Sequence, residues 1–554
     1  MRASYNIATS LVDQAQKHPY QMAVAEPAGR DRRGRPSYRQ LNYQQLNEWS
    51  DTIASALQRH GLRKGQRVAL MVPPSLDFFA LTFGLFRAGA VPVLIDPGLG
   101  LKRIKTCLRE AAPQAFVGIP KAHLARWLFG WQRRRWQTLI RVGGHFPGTI
   151  DLHALIAAEH NETRQRPPLV LPDDPAAILF TSGSTGSPKG ALYTHRNFQA
   201  QIERLRETFA IQQGEIDLCT FPLFALFAPA LGMSAIIPEM DFTRPGRVNP
   251  DMIFDPIERF GVQNLFGSPA LIQRVSTQAL NQRRKLPSLK RVVSAGAPVP
   301  AATIADMKAS LPANSRIYTP YGATEALPVA CLESHDILNE TYEKTNQGGG
   351  ICVGYPCQHT DVRIIRISDE PLAAFDPDME LPPGEIGEII VSGPQVTRSY
   401  YNRQDATTLA KIPIIDTKDV FHRMGDVGYR DEHGRLWYCG RKSHRVITPH
   451  QTLFTIPCEA IFNTHADVRR TALVGVGPRP RQRPVLCVEL TDPKTTGRTE
   501  RDRILHQLKE HGAGYSLTQN IKTFLFHPGF PVDIRHNSKI FREKLSQWAE
   551  ETLS

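Results

Sequence analysis

No stretch of this chain approaches the ~18 consecutive apolar residues that a membrane-spanning helix needs. The opening segment, MRASYNIATSLVDQAQKHPYQ, holds no apolar core of secretory length, so a cytoplasmic location is the expectation. Cysteine is sparse, eight in 554 residues, and scattered. The nearest two, Cys352 and Cys357, have no matching pair and no histidines at zinc spacing, which favours reduced thiols over disulfides or a metal site. Short internal repeats, long low-complexity segments and nucleic-acid-binding motifs are also missing.

What is present is an ordinary globular composition, 41% hydrophobic and 22% charged, in a chain long enough for two or more domains. The formal net charge is +14. Because the basic residues are dispersed, this reads as a preference for anionic small molecules rather than for nucleic acid. The densest basic stretch, KAHLARWLFGWQRRRWQTLIR (121–141), interleaves Trp127, Trp131 and Trp136 with Arg133, Arg134 and Arg135. Helical spacing puts Trp127 and Trp131 on one face. That face is either packed on the core or a docking site for a partner or a membrane surface.

Along the chain, β-branched apolar runs alternate with helical patterns: QRVALMVP, then SLDFFALTFGLFRAG, then AVPVLIDP; later VQNLFGSP, LKRVVSAGAP and SRIYTPYGATE with helices between. The expected fold class is α/β: a large N-terminal domain (1–440) of mostly parallel, helix-covered sheets with a β-rich subdomain near 360–440, a hinge at 441–443, and a small α+β domain at 444–554. Three strands end in small-residue turns, TSGSTG, SAGAP and YGATE. In open α/β sheets ligands bind at such ends, so neighbouring ends would build one site.

The first of these turns, in AILFTSGSTGSPKGALYTH (177–195), could be a linker, a structural turn or a phosphate cradle. It is not a Walker A loop, because the G-x-x-x-x-G-K-[ST] spacing fails. It does supply unhindered amides, the hydroxyls of Thr181, Ser182, Ser184 and Thr185, and the Lys189 ammonium, the makings of an anion-binding nest. A strand before it and a helix soon after suit that use.

Together these segments resemble the adenylate-forming superfamily of acyl-CoA synthetases, luciferases and peptide-synthetase adenylation domains. FTSGSTGSPKGALYTH resembles its signature loop, YTPYGATEAL its Y-G-x-T-E motif, HRMGDVGYRDEHGRLWYCGRK its ribose-binding Asp and pre-hinge Gly-Arg, and HNSKIFREKL its terminal G-K-I-x-R. The resemblance spans nearly the whole chain and implies ATP and Mg²⁺ as cofactors. It implies that Thr181, Ser182, Gly183, Ser184, Thr185, Gly186 and Lys189 hold the β- and γ-phosphates. Thr324 would contact the α-phosphate and Glu325 would bind Mg²⁺. Gly296, Ala297 and Pro298 would form the adenine wall, with Tyr321 stacking opposite beside Gly322. Asp426 would accept from the ribose hydroxyls, with Arg441 charged beside ribose and phosphate. Lys539 would stabilise charge building up on the forming acyl-phosphate; the residue before it is Ser538 where the family usually has Gly.

Three departures bear on the second half-reaction. In FPLFALFAPALG, Ala225 stands where acyl-CoA synthetases carry His, and Phe224, Ala225 and Phe227 read as either a simple helix start or the wall of a long-alkyl pocket. Ser443 stands two residues after the Gly-Arg pair, where the family often has Asp or Lys. After the hinge, Pro449-His450 replaces the Gly-bearing loop beside the thiol tunnel, although Pro457 and Glu459 resemble the end of the family motif. These features make CoA an improbable acceptor. An insertion, ESHDILNETYEKTNQGGG (333–350), reads as a lid or a surface loop. In the combination of FPLFALFAPALG, YTPYGATEALPVA and FPVDIRHNSKIFREKLSQWA the chain resembles, within the superfamily, the β-lactone synthetases of bacterial long-chain olefin biosynthesis. That implies a long-chain 2-alkyl-3-hydroxy acid substrate, an acyl-adenylate, attack by the substrate's own 3-hydroxyl, and association with the pathway's reductase and β-lactone decarboxylase. The hydroxyl's proton acceptor stays open among His195, His422 and His450, against the plainer reading that each is structural or exposed. The alternatives are a long-chain fatty acyl-CoA or acyl-AMP ligase, and a non-catalytic scaffold.

Overall fold

A computed structural model describes residues 4–131, 136–159, 162–181, 187–221, 226–492, 497–532 and 540–554. Two large sheets, a three-stranded sheet and a two-stranded hairpin organise them. In the first, strands Met22–Arg30, Ser234–Ile236, Ile216–Cys219, Asn264–Gly267, Arg291–Ser294 and Arg316–Ala323 lie side by side in parallel, in that order. Their central residues, such as Leu265 and Val292, are fully buried, as a sheet covered on both faces requires. The sheet then continues in antiparallel fashion through Ala326–Glu333, Ile351–Pro356, Leu436–Arg441, Val420–Arg430, Gly387–Ser392 and Asp361–Ile365. The β-rich region is therefore hydrogen-bonded onto the parallel sheet. The fold is α/β with an antiparallel extension.

The second sheet has seven strands, parallel except for Lys189–Thr194, which pairs antiparallel with Pro175–Thr181. This strand was not foreseen. The Ser/Thr/Gly tract connects two strands of a hairpin, and helix His195–Phe209 starts only after the second. That start is fixed locally: Thr194 and Asn197 form a reciprocal capping box, of a kind worth about 1 kcal/mol. Of the three turn-ending strands, two are neighbours in the first sheet; the third lies in the second sheet, so a shared site needs the sheets themselves to meet.

The last part of the chain forms a three-stranded sheet, Val468–Val476, Arg483–Leu490 and Thr523–Phe526, with helices Thr455–Phe462, Arg498–Ala513 and Arg542–Leu553. It has its own apolar clusters, around Phe462, Leu473 and Leu508, and around Phe530 and Leu545. Among the described residues, no helix is long and apolar enough to cross a membrane.

Two expectations change. Helix Pro120–Leu128 ends before Trp131, so Trp127 is 54% exposed while Trp131 is 2% exposed; the two do not share a packed face. The 333–350 insertion is neither lid nor loose loop. It winds as a helical segment from Ser334 to Gly349 with two π-type stretches. Gly348, at φ +89°, sits so close to Pro457, Ile461 and Leu517 that a Cβ would meet Leu517 at 2.9 Å. The segment is thus wedged between the antiparallel extension, where Tyr429 Oη donates to Gly349 O at 2.8 Å, and helix Thr455–Phe462.

Candidate active site

The site is assembled at two ends. At the first, Asp426 and Arg441 are register partners on strands Val420–Arg430 and Leu436–Arg441. Arg441 Nη1 donates to Asp426 Oδ1 at 2.8 Å, and Tyr321 Oη donates to Asp426 Oδ2 at 2.6 Å. Asp426 is buried. Burial first, and then the Asp426 charge, keep the Tyr321 phenol protonated well above its ordinary range; the same carboxylate raises the Arg441 guanidinium. Both carboxylate oxygens thus have protein donors yet keep lone pairs for ligand hydroxyls. Arg441 Nε is buried and finds no acceptor among the described residues, a donor of the kind a ligand oxygen satisfies. Gly322 is required by packing, since a Cβ there would lie 2.8 Å from Ala326 O. Gly296 turns the chain at φ +96°, followed by half-buried Ala297 and exposed Pro298.

At the second end the two large sheets meet. Segment 399–401 bonds to strand Lys189–Thr194, with Leu192 N donating to Ser399 O at 3.1 Å and Tyr401 N to Gly190 O at 2.8 Å. This sets Tyr400 against the first sheet, where its hydroxyl donates to Glu325 Oε1 at 2.6 Å. The Lys189 ammonium stands 5.3 Å from the Tyr400 ring centre and the Lys411 ammonium 5.8 Å, both within cation–π range. Tyr193 donates its hydroxyl to the carbonyl of Thr324, and Thr397 N donates to Glu325 O at 2.9 Å. Lys411 is buried and donates to Thr397; burial lowers its basicity to about 7, opposed by the Glu325 charge.

Among the described residues, no three His, Cys, Asp or Glu side chains cluster as a metal cage. A single carboxylate, Glu325, suits Mg²⁺, which takes one or two protein carboxylates and completes its shell with phosphate oxygens and water.

Ser182, Gly183, Ser184, Thr185, Gly186, Phe224, Ala225 and Lys539 lie outside the described residues. Thr181 ends its strand as the register partner of Lys189. The segment holding Lys539 is closed at its ends by a bridge between Val532 and Ile540, and Phe541 N donates to Pro531 O at 2.9 Å. Arg542 next to it pairs with buried Glu459 at 2.8 Å. Glu459 is therefore spent within the small sheet's packing. His444 Nε2 lies 3.1 Å from Glu543 Oε1, which ties the segment after Arg441 to helix Arg542–Leu553. Phe227 begins a one-turn helix, with its ring 6.0 Å from Phe198, which stacks on Tyr193 at 4.9 Å.

A match to the AMP-binding enzyme family covers residues 11–401. An olefin beta-lactone synthetase of Xanthomonas campestris pv. campestris is 48% identical over 549 residues, 98% of this chain and 97% of that protein. The chain belongs to the AMP-binding enzyme family. An olefin beta-lactone synthetase of Stenotrophomonas maltophilia is 47% identical over 562 residues, spanning 100% of this chain and 99% of that one. Among solved structures, an amide bond synthetase from Marinactinospora thermotolerans superposes with a TM-score of 0.77 at 21% identity, covering 98% of this chain and 99% of that one; at that identity the likeness is one of fold.

As an AMP-binding enzyme the chain is an AMP-forming ligase that uses ATP, and its three candidate histidines can be sorted by place. His195 is buried at the far end of strand Lys189–Thr194 from Lys189, accepts from Ile7 N at 3.2 Å through Nδ1, and is held neutral, lowered to about 4 by burial. His422 is the register partner of Lys411, with Nδ1 3.2 Å from Ala410 O; burial and the nearby Lys411 charge keep it neutral. His450 is exposed at the tip of the hairpin joining Val446–Ile447 and Thr452–Leu453. Lys442, in the expected hinge, is tied to buried Glu388 at 3.0 Å, and Ser443 O accepts from Arg479 at 2.6 Å. Sequence reasoning missed Tyr193, Tyr400 and Lys411. Tyr193 stands within the signature segment 180–195 but its residue type there suggests no role, and no motif announces Tyr400 or Lys411, because all three act through contacts across sheets.

Proposed function

We propose that this ligase adenylates the carboxylate of a long-chain, fatty-acid-derived 2-alkyl-3-hydroxy acid and then closes that acid to a β-lactone. The observation that carries the reading is near-half identity, over the full length, to proteins called olefin beta-lactone synthetases. A carboxylate oxygen attacks the α-phosphorus of ATP and pyrophosphate leaves. The substrate's 3-hydroxyl oxygen then bonds to the acyl carbon, its proton passes to solvent, and the bond from the acyl carbon to the phosphate oxygen breaks with its electron pair leaving on AMP. Because the nucleophile already sits within the substrate, positioning takes the place of a second ligand.

In this reading Lys189, with Thr181, Ser182, Thr185 and the glycines Gly183 and Gly186, holds the β- and γ-phosphates. Thr324 meets the α-phosphate. Glu325, oriented by Tyr400, would hold Mg²⁺, which supplies charge neutralisation between the phosphates. Asp426 accepts from the ribose, Tyr321 and the 296–298 turn flank the base, and Lys539 neutralises the reacting carboxylate and α-phosphate. Phe224, Ala225 and Phe227 line the alkyl chains. The large part (1–440) and the small part (444–554) join at a hinge at 441–443, and the wedge of 334–349 favours one arrangement of the two. The exposed, Gly-free hairpin at Pro449-His450 supports a reaction without CoA. Association with the pathway's reductase and β-lactone decarboxylase belongs to the same proposal.

The test is incubation with ATP, Mg²⁺ and a 2-alkyl-3-hydroxy acid, with and without CoA. The expected product is the lactone at equal rates in both. A thioester formed only with CoA would overturn the reading in favour of a fatty acyl-CoA ligase.

A further inference from the structure

We propose that the outer face of helices Leu101–Ala111 and Pro120–Leu128 docks this protein on an anionic lipid bilayer. Both helices pack on the seven-stranded sheet: Ile104, Cys107 and Leu108 of the first belong to one apolar cluster with Ala122 and Ala125 of the second and with Trp131. The second is anchored rigidly, with buried His123 Nε2 2.9 Å from Ile140 O and Trp136 Nε1 donating to Trp131 O at 2.9 Å.

What these helices turn outward is unlike a solvated surface. On Pro120–Leu128 the positions three and four apart, Leu124, Trp127 and Leu128, are all exposed, Leu128 at 60%, and Phe129 follows them. The inward positions Ala122, His123 and Ala125 pack on the core, so Leu124, Trp127 and Leu128 form a second, outward stripe, while the Phe129 ring stacks on Trp131 at 6.4 Å. On Leu101–Ala111 the exposed side chains are Leu101, Lys102, Arg103, Lys105 and Arg109, and Lys121 is exposed in the first turn of the next helix. None of these five cations has an acidic partner among the described residues. The helix's one carboxylate, Glu110, turns away to Arg403 at 3.6 Å. Arg133, Arg134 and Arg135 follow in the sequence.

Unpaired cations beside exposed Trp, Leu and Phe match the two layers of an anionic membrane surface. Headgroup phosphates attract the cations, and the apolar side chains enter the acyl boundary where indole rings settle. Charge complementarity selects lipid over a protein partner: five cations with no acidic partner among the described residues, together with an apolar stripe on the second helix, would need a strongly acidic counterpart, which a phosphatidylglycerol surface supplies without a matching shape. The face also abuts the site. Asn402 Nδ2 donates to Glu110 O at 3.0 Å, and Arg403 Nη1 donates to Ser187 Oγ at 3.3 Å, just past the Ser/Thr/Gly tract.

The inference goes beyond the proposed reaction and needs neither ATP nor acid, so its failure would leave that reading standing. The experiment is flotation of the full chain with phosphatidylcholine vesicles, with and without added phosphatidylglycerol, across a salt series. Binding to the anionic vesicles should exceed binding to the neutral ones by about tenfold or more and fall with salt. The paired substitutions Trp127→Glu with Leu128→Glu, and separately Arg103→Glu with Lys105→Glu, should each reduce it by a similar factor. Pyrophosphate release with detergent-solubilised acid should be unchanged in both. Absence of vesicle binding, equal binding to neutral vesicles, or unaltered binding by the Trp127/Leu128 variant overturns it. So does self-association in size exclusion that the same substitutions abolish while vesicle binding persists.

Discussion

The two ends of the candidate site are built in different ways. At the Asp426 end, the key ion pair joins residues fifteen apart on adjacent strands of one antiparallel hairpin, and Tyr321 reaches it from a strand of the same sheet. At the Glu325 end, the carboxylate is held by Tyr400, and Tyr400 is held by pairing with a strand of the other large sheet. The first end is set by register; the second depends on two sheets arriving together. A local device survives distant changes, whereas a tertiary one transmits them.

Lys539→Ala should have the largest effect, sharpening the contrast by removing the group that only the small C-terminal part contributes. Pyrophosphate release should fall by about a hundredfold or more, with ATP binding largely kept; rapid-quench measurement of release beside equilibrium ATP binding checks it. Asp426→Asn breaks the register-built end. It leaves Arg441 without its counter-charge and should weaken ATP binding by about 1.5–3 kcal/mol, read as a raised KM for ATP with kcat less changed. Tyr400→Phe breaks the sheet-bridging end while keeping the ring under both lysines. Its cost should be about 1 kcal/mol, seen mainly as a higher Mg²⁺ requirement and a lower kcat, with the ATP KM nearly unchanged. If Tyr400→Phe and Asp426→Asn moved the same parameter, the two ends would not be separate devices.

Lys411 gives the smallest and most specific test. Its folded-state basicity is lowered to about 7, whereas in the unfolded chain it is that of an ordinary lysine. Between these values the unfolded chain binds the extra proton, so this group makes stability rise with pH from about 7 upward. Below that window both states are protonated and the burial cost is fully present. Lys411→Met should remove that slope, which is at most about 1.4 kcal/mol per pH unit. Urea unfolding of both proteins at several pH values between neutral and mildly alkaline checks it; parallel curves would show that Lys411 is not the buried titrating group described.

Much of the architecture was legible because it is local. The helices starting at Ser75 and Thr194 carry their own caps, the β-branched runs became the buried parallel strands, and the Y-G-x-T-E, G-D and G-R segments stand where a single hairpin and its neighbour bring them together. The strand Lys189–Thr194 was not legible. Its residues carry a short apolar run that looks like the lead into a helix, and only pairing with Pro175–Thr181 makes it a strand. The Trp127 and Trp131 stripe misled for a related reason: spacing describes a helix only as far as the helix lasts, and this one stops at Leu128. The insertion at 333–350 is polar and reads as a loop, yet its helical winding is supported from outside by Tyr429, Trp437 and the small C-terminal helix.

By itself the sequence determined the α/β class and the family, because each rests on residue types at fixed short spacing. Only the tertiary structure decided that Tyr400 links Lys189 and Lys411 to Glu325, that Glu459 serves Arg542 rather than a ligand, that the insertion is a wedge, and that one helix turns a second apolar stripe to the outside. The physical reason is the same in each case. Spacing along a chain fixes which side chains share a face of one element, while burial and pairing between elements depend on partners hundreds of residues away.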